Sequence, residues 1–168
     1  MLRTALRACG LALLCSLTAC GASDDDKAAE ALSKSLIQEN DEVFKVSQED
    51  ADCVGQGFVD EIGTDKLKEY GILTEDLEAS DETLSTKMSK EDAEAAAAVF
   101  VDCTDAVELF SAAMFAGEDI SDETQACIDA ELTEDVIEQF FVATFAQDES
   151  LVGDAMAPLQ ECVTGAGG

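Results

Sequence analysis

The feature that most constrains the fold is a helix-start signal that recurs along the chain. Ser47, Ser89, Ser121 and Thr133 are each followed by acidic residues within three positions. A serine or threonine side chain can accept a hydrogen bond from a free amide of the first helical turn, and acids there favour the positive helix end. Apolar residues follow these signals at spacings of three and four, and no strand-like alternation exceeds four residues. The sequence therefore predicts an all-α chain.

The longest predicted helix begins after Ser89 and ends near Gly117. Its apolar residues recur at spacings of three and four, as expected for one buried helix face. They are Phe100, Cys103, Val107, Phe110 and Met114. A short helix is predicted from Thr64 to Tyr70, ended by Gly71, and Thr74-Glu75-Asp76 repeats the start signal.

The last predicted helix carries Leu151, Met156, Leu159 and Val163 as its apolar residues. It also contains Pro158, so it either starts near Asp154 or is kinked. Residues 47–166 are numerous enough to bury a workable core. We therefore expect this segment to form a small helical bundle.

The first nineteen residues are typical of an export signal. Arg3 and Arg7 precede an apolar run at 8–19, which is too short to span a bilayer. The run ends in Leu17-Thr18-Ala19-Cys20-Gly21, which closely resembles the lipobox of bacterial lipoproteins. An ordinary signal peptide with a chance cysteine and a buried N-terminal helix are the alternative interpretations.

The lipobox resemblance implies that residues 1–19 are removed and that Cys20 is lipidated. In that family, the cysteine thiol receives a diacylglyceryl group, with fatty acyl chains of the palmitate type. The protein would then be anchored outside the cytoplasmic membrane, or on an outer membrane if the cell has one. Residues 20–46 would form the lipidated N-terminus and an acidic tether, with a short helix at 27–38 and a strand-like stretch at 43–46.

Four cysteines remain after Cys20, and an even number in an exported chain predicts two disulfides. They are Cys53, Cys103, Cys127 and Cys162. Three pairings are open, and four free thiols are the alternative. A zinc site would show closely spaced cysteine pairs, which this chain lacks. Apolar residues follow Cys53 and Cys127 at the same offsets, and other apolar residues precede Cys103 and Cys162 at matching offsets. This pattern predicts two repeated helical units, with the pairs Cys53–Cys103 and Cys127–Cys162.

The four cysteines also carry a resemblance to a broader class of domains. Their spacing, together with Asp52-Cys53 and Asp102-Cys103, is similar to that of uncharacterised acidic helical domains in bacterial lipoproteins and secreted proteins. The resemblance implies a disulfide-stapled helical fold and transfers no activity.

Acidic residues dominate the charge, with 38 against nine basic residues and a net charge of −29. Without residues 1–19, seven lysines remain and the charge becomes −31, and no cation follows Lys90. Such a surface disfavours nucleic acid, which is bound through lysine and arginine. It suits a solvated coat, a docking surface for a basic partner or weak binding of divalent cations. Glu118-Asp119 with Asp122-Glu123 is the densest local cluster, and helix capping explains it.

The lack of histidine excludes Ser-His-Asp and Cys-His catalysis. We therefore expect no catalytic residues, no metal site and no cofactor, and a lipid-anchored extracytoplasmic binding or structural module. A carrier of small apolar ligands, with a pocket between helices, is the first alternative. Its lining would come from Phe100, Phe110, Phe115, Phe140, Phe141 and Phe145. A hydrolase that uses carboxylates alone is the second alternative.

Overall fold

The structure is a computed structural model that describes residues 23–38, 45–80, 87–115 and 120–165, the side chains of 115 and 165 excepted. Within these ranges the chain forms eight helices and no strand, apart from one isolated bridge between Leu73 and Ala79. The helices are α1 (Asp24–Gln38), α2 (Gln48–Glu61), α3 (Thr64–Glu69), α4 (Lys90–Cys103), α5 (Ala106–Phe115), α6 (Asp122–Glu131), α7 (Glu134–Phe145) and α8 (Glu149–Gly165). The all-α prediction is confirmed.

Four of the predicted start signals form helix caps. The side chains of Ser47, Ser89 and Ser121 each accept the amide hydrogen of the third helical residue at 3.2 Å, and Thr133 does so at 3.4 Å. The signal at Thr74 was wrong as a helix start. Its hydroxyl instead accepts the amide hydrogen of Glu78 at 3.1 Å inside a tight turn.

Helix α1 confirms the short helix predicted at 27–38, extends its start to Asp24, and corrects the prediction that this segment is part of an acidic tether over residues 20–46. Ser23 and Asp26 form a reciprocal capping box, with bonds of 2.8 and 3.0 Å. Ala28, Ala29 and Leu32 are buried against the rest of the bundle. The three aspartates 24–26 therefore begin a core helix instead of a solvated spacer. Residues 20–22 and 39–44 lie outside the described part, and the described end of the predicted strand, 45–46, is not a strand.

Helices α1 and α2 run antiparallel and touch through a glycine. A Cβ atom on Gly55 would overlap the carbonyl oxygen of Ala29 and lie 3.1 Å from the amide nitrogen of Ser33. The hydroxyl of buried Ser33 donates to Asp52 at 2.5 Å. The absence of a side chain at Gly55 thus allows the two backbones to approach closely.

The predicted helix from Ser89 to about Gly117 is in fact two helices. Thr104 adopts an extended backbone (φ −130°, ψ 161°) and its hydroxyl donates to the carbonyl of Phe100 at 2.8 Å. Asp105 then accepts the amide hydrogen of Glu108 at 3.1 Å, which starts α5. The single apolar stripe is therefore broken, and Met114 at its end is 40% exposed.

The core consists of two clusters. The first lies among α1–α4 with Phe145, and the second lies among α5–α8 around Ile128, Ile137 and Leu159. Phe141 packs against both clusters. The interior is thus divided between an N-terminal and a C-terminal group of helices.

One disulfide staples each group. Cys53–Cys103 joins α2 to α4, and Cys127–Cys162 joins α6 to α8, with Cα–Cα distances of 5.5 and 5.6 Å. Both pairs agree with the predicted pairing. Disulfides of this kind indicate an oxidising, extracytoplasmic environment.

Helix α8 is continuous across Pro158, so the predicted alternative of a start near Asp154 was wrong. Only part of its apolar set is buried: Leu159 is in the core, whereas Leu151 and Val163 are 43% and 59% exposed. None of the described helices has the length and apolar character needed to cross a membrane.

Candidate functional site

A groove with acidic walls lies between α4, α7 and α8. Its volume is about 640 Å³, and its walls carry carboxylates from all three helices. These are Glu94 from α4, Asp135 and Glu138 from α7, and Asp154 from α8. Apart from Gln139, the rest of the lining is apolar, and this apolar part, called the floor below, consists of Ala98, Val142, Leu151 and Ala155.

Helical periodicity places these side chains on the groove. Residues three, four or seven apart share a helix face, so Asp135, Glu138 and Val142 line up along α7. The same rule places Leu151, Asp154 and Ala155 together on α8. The ring contact between Phe100 and Phe141, with centroids 4.6 Å apart, fixes α4 against α7. The groove is therefore built on rigid elements.

Few cations approach the acidic groove. Lys90 Nζ lies 3.5 Å from Glu94 Oε1, and both side chains are more than half exposed. The remaining ion pairs of the described residues, Lys27–Asp24 and Lys66–Asp92, are elsewhere. Because the sequence carries no lysine or arginine after Lys90, the walls from α7 and α8 contain no cation of their own. The groove is thus suited to a cationic ligand.

The described carboxylates do not form a metal centre. Across the described ranges, no three acidic or cysteine side chains are grouped so that they could hold a metal ion. Of the densest cluster in the sequence, Glu118-Asp119 lies outside those ranges, and Asp122 and Glu123 lie in the first turn of α6. The groove carboxylates are spread along three helices, which suits an extended cationic segment better than a single ion.

A second groove, of about 460 Å³, lies between α5 and α8 and is almost entirely apolar. Its lining includes Met114, Val152, Met156, Leu159 and Val163. The partial exposure of Met114 and Val163 makes it an unusual apolar feature of a strongly acidic surface.

The phenylalanines predicted to line a carrier pocket instead pack against one another. The ring centroids of Phe110 and Phe140 are 4.9 Å apart, and those of Phe141 and Phe145 are 5.9 Å apart. The side chain of Phe115 lies outside the described part. These rings therefore fill the interface between the two core clusters, and neither groove described above is lined by them.

The most strongly perturbed carboxylate is structural. Asp92 is buried and accepts hydrogen bonds from Lys66 at 2.8 Å, Tyr70 at 2.5 Å and Ser89 at 2.8 Å. The bond from Lys66, followed by that from Tyr70, lowers the pKa of Asp92 to about 2. All three donors stabilise the charged form, so Asp92 ties α3 to the start of α4 and is poorly placed to exchange protons near neutral pH.

The sequence identified the cysteine pairs but missed both grooves. Cys20, the predicted lipidation site, lies outside the described residues. The groove carboxylates come from positions 94, 135, 138 and 154, and in a chain with 38 acids no spacing distinguishes them. Only the packing of α4, α7 and α8 brings them together. Comparison with protein-family models, curated proteins and solved structures gave no match.

Proposed function

We propose that this protein is a lipid-anchored, extracytoplasmic, non-catalytic module that binds a basic segment of another protein in the acidic groove. The observation that carries the proposal is the groove itself, with carboxylates on three helices above an apolar floor. Lipidation at Cys20 supplies the anchor in this proposal, on the strength of the lipobox resemblance. The two disulfides support the compartment.

The chemistry of the acidic groove favours an amphipathic, lysine- or arginine-bearing segment. Such side chains bury their aliphatic stems against apolar surface while their charged heads stay at the rim. Leu151 on the floor is 43% exposed and can contact those stems, while Glu138 and Asp154 can accept charge-assisted hydrogen bonds. Because each exposed ion pair contributes only about 0–1 kcal/mol, several must act together, and binding should weaken as salt increases.

A peptide titration tests the proposal. The probe is a synthetic amphipathic helix of leucine and lysine, followed by fluorescence anisotropy with the mature protein. The groove variant combines Glu94→Gln, Glu138→Gln and Asp154→Asn, one change in each wall. Three lost contacts of ~0.5 kcal/mol each correspond to roughly tenfold weaker binding.

A matched control removes three charges elsewhere. Glu61→Gln, Asp102→Asn and Glu131→Gln change exposed carboxylates that do not line the acidic groove. We expect the affinity of this variant to fall by no more than about twofold, through long-range electrostatics alone. Equal losses in the two triple variants would mean that overall charge attracts the peptide and would remove the groove from the proposal.

A second candidate function is the carriage of a small apolar ligand in the groove between α5 and α8. Its support is the apolar lining of that groove, including the exposed part of Val163. Met156→Lys would place a charge in this apolar groove. The uncharged dye Nile red should therefore bind the native protein and bind this variant less. Native mass spectrometry that found only bare protein in material from native membranes would count against a carrier.

A further inference from the structure

The start of α1 limits how far the folded body can move from a lipid anchor. The inference that follows rests on the proposed lipidation of Cys20. Four residue steps separate Cys20 from Asp24, the first residue of α1. Even a fully extended chain spans at most about 3.6 Å per residue, or roughly 14 Å here. Because α1 is buried in the core, this short connection holds the whole body close to the lipid surface, whatever conformation residues 20–22 adopt.

Contacts show which end of the body adjoins the anchor. The hydroxyl of Thr64 donates to Asp25 at 2.6 Å, which places the start of α3 beside the start of α1. Lys66 then contacts Asp92 in the first turn of α4 at 2.8 Å. The anchored end therefore contains the starts of α1, α3 and α4.

The end of α7 also lies at the anchored end. The amide of Met88, just before α4, donates to the carbonyl of Phe145 at 2.9 Å. The loop that follows α7 and the beginning of α8 therefore lie at the anchored end as well. The two disulfides and α6 lie towards the other end, because Cys103 and Cys162 come late in α4 and α8.

Lysines are concentrated at the anchored end. Five of the seven lysines that follow Cys20 lie on its elements: Lys27, Lys66, Lys68, Lys87 and Lys90. All three ion pairs of the described residues are found there. The end also carries acids, including those of the first turns of α1, α3 and α4 and of the α7–α8 loop: Asp24, Asp25, Asp26, Asp65, Glu91, Asp92, Asp148 and Glu149. Five lysines against these eight acids leave this end acidic, but less so than α5–α8, which contain acids and no cation.

We propose that the anchored end is a lipid-facing surface that rests on an anionic bilayer. The short connection brings the surface to the headgroups, and its lysines, which are fewer than its acids, reduce the repulsion that the acids produce. The cation-free helices are repelled more strongly by an anionic leaflet, so α6 and the disulfide-bearing ends of α4 and α8 point away from it. The body thus has one orientation on the membrane, with the acid-rich remainder presented to the medium.

Amine footprinting of the mature lipidated protein tests this orientation. The protein is placed on vesicles that contain phosphatidylglycerol and treated with a membrane-impermeant acylating reagent, and each lysine is quantified by mass spectrometry. Lys68, Lys87 and Lys90 should react about fivefold less on vesicles than in neutral detergent. Lys34 and Lys45 are internal controls, and their labelling should not change. Lys34 is exposed and lies ten residues along α1, about 15 Å from its start.

A longer connection provides the second arm. A flexible segment of about 20 glycine and serine residues inserted before Ser23 gives a typical reach of roughly 25 Å, so protection should disappear. Persistent protection in this variant, or equal labelling of all lysines on vesicles, would overturn the proposal. Flotation and the intact mass at Cys20 report the anchor separately. A protein that fails to float refutes the proposed lipid anchor, whereas one that floats without protection refutes only the orientation.

Discussion

Replacement of Gly55 by alanine tests whether α1 belongs to the folded core. The added Cβ would overlap the carbonyl oxygen of Ala29 and lie 3.1 Å from the nitrogen of Ser33, closer than the usual 3.5–4.0 Å between such atoms. Both neighbours are backbone atoms, so α1 as a whole must move outward by roughly 0.5–1 Å. Such overpacking costs about 1–3 kcal/mol.

Part of this cost is offset because alanine is the better helix former. Alanine in place of glycine inside a helix stabilises it by roughly 0.5–1 kcal/mol. The net loss expected for Gly55→Ala is therefore about 0–2.5 kcal/mol. Gly153→Ala is the matched control, since its Cβ would meet nothing within 4 Å inside α8. That variant should gain the full ~0.5–1 kcal/mol.

Urea unfolding followed by far-ultraviolet circular dichroism measures both variants, because the chain contains no tryptophan for fluorescence. Because both variants share the helix gain, their unfolding free energies should differ by the overpacking cost of roughly 1–3 kcal/mol, with Gly55→Ala the less stable. Equal stabilisation by both substitutions would refute the packing of α1 on α2. It would also remove the short connection on which the membrane orientation depends.

Three further predictions concern Asp92, a disulfide and the anchor. Because the pKa of Asp92 is lowered from 3.8 to about 2, its contribution is present above pH 4 and lost as pH falls to about 2. The stability advantage of the native protein over Asp92→Asn, about 2 kcal/mol from this shift, should shrink across that window in acid titrations of unfolding. An advantage that was undiminished at pH 2 would contradict this. Cys162→Ser with Cys127→Ser should cost about 2–4 kcal/mol by thermal unfolding. Chymotryptic mapping of the unreduced native protein should find Cys53 joined to Cys103, and a peptide joining Cys103 to Cys127 would contradict the structure. Cys20→Ser should abolish lipid labelling and release the protein from membranes or leave it uncleaved, so unchanged labelling would disprove the anchor.

Helix starts were predictable because they depend on neighbouring residues alone. Ser47, Ser89 and Ser121 each bond to an amide three positions away, and that geometry needs no tertiary partner. Ser23 and Asp26 carry the same signal and favour a helix start, but residues 21–26 lack an apolar pattern, so the sequence predicts a spacer there and a helix only from Lys27. Two of the four buried residues of α1 are alanines and one is Ser33, which gives a weak apolar pattern.

The break between α4 and α5 also had a local signal. Thr104 and Asp105 can compete for backbone hydrogen bonds and so favour a helix end and a new start. The apolar spacing continues through them from Phe100 to Phe110, so periodicity predicted one helix. Spacing alone does not show whether the backbone connecting two apolar turns remains helical.

Which residues of α8 are buried, and which acids line the acidic groove, can be determined only from the tertiary structure. Leu151 and Val163 follow the helical apolar spacing as well as Leu159 does, yet only Leu159 reaches the core. Glu138 and Asp154 resemble any other acids until α7 and α8 pack together. The disulfide pairing was more accessible, because cysteines within similar apolar patterns mark equivalent helix faces.

Zero-length crosslinking on intact cells tests the proposed function most directly. A carbodiimide joins a carboxylate to a lysine amine only where the two are in contact, so it reports the partner and the site together. Chymotrypsin is needed for mapping, since trypsin has no cleavage site after Lys90. We expect Glu138 and Asp154 to carry the crosslinks to a second protein. Crosslinks confined to Glu61, Asp102 and Glu131, or spread evenly over exposed carboxylates, would contradict it.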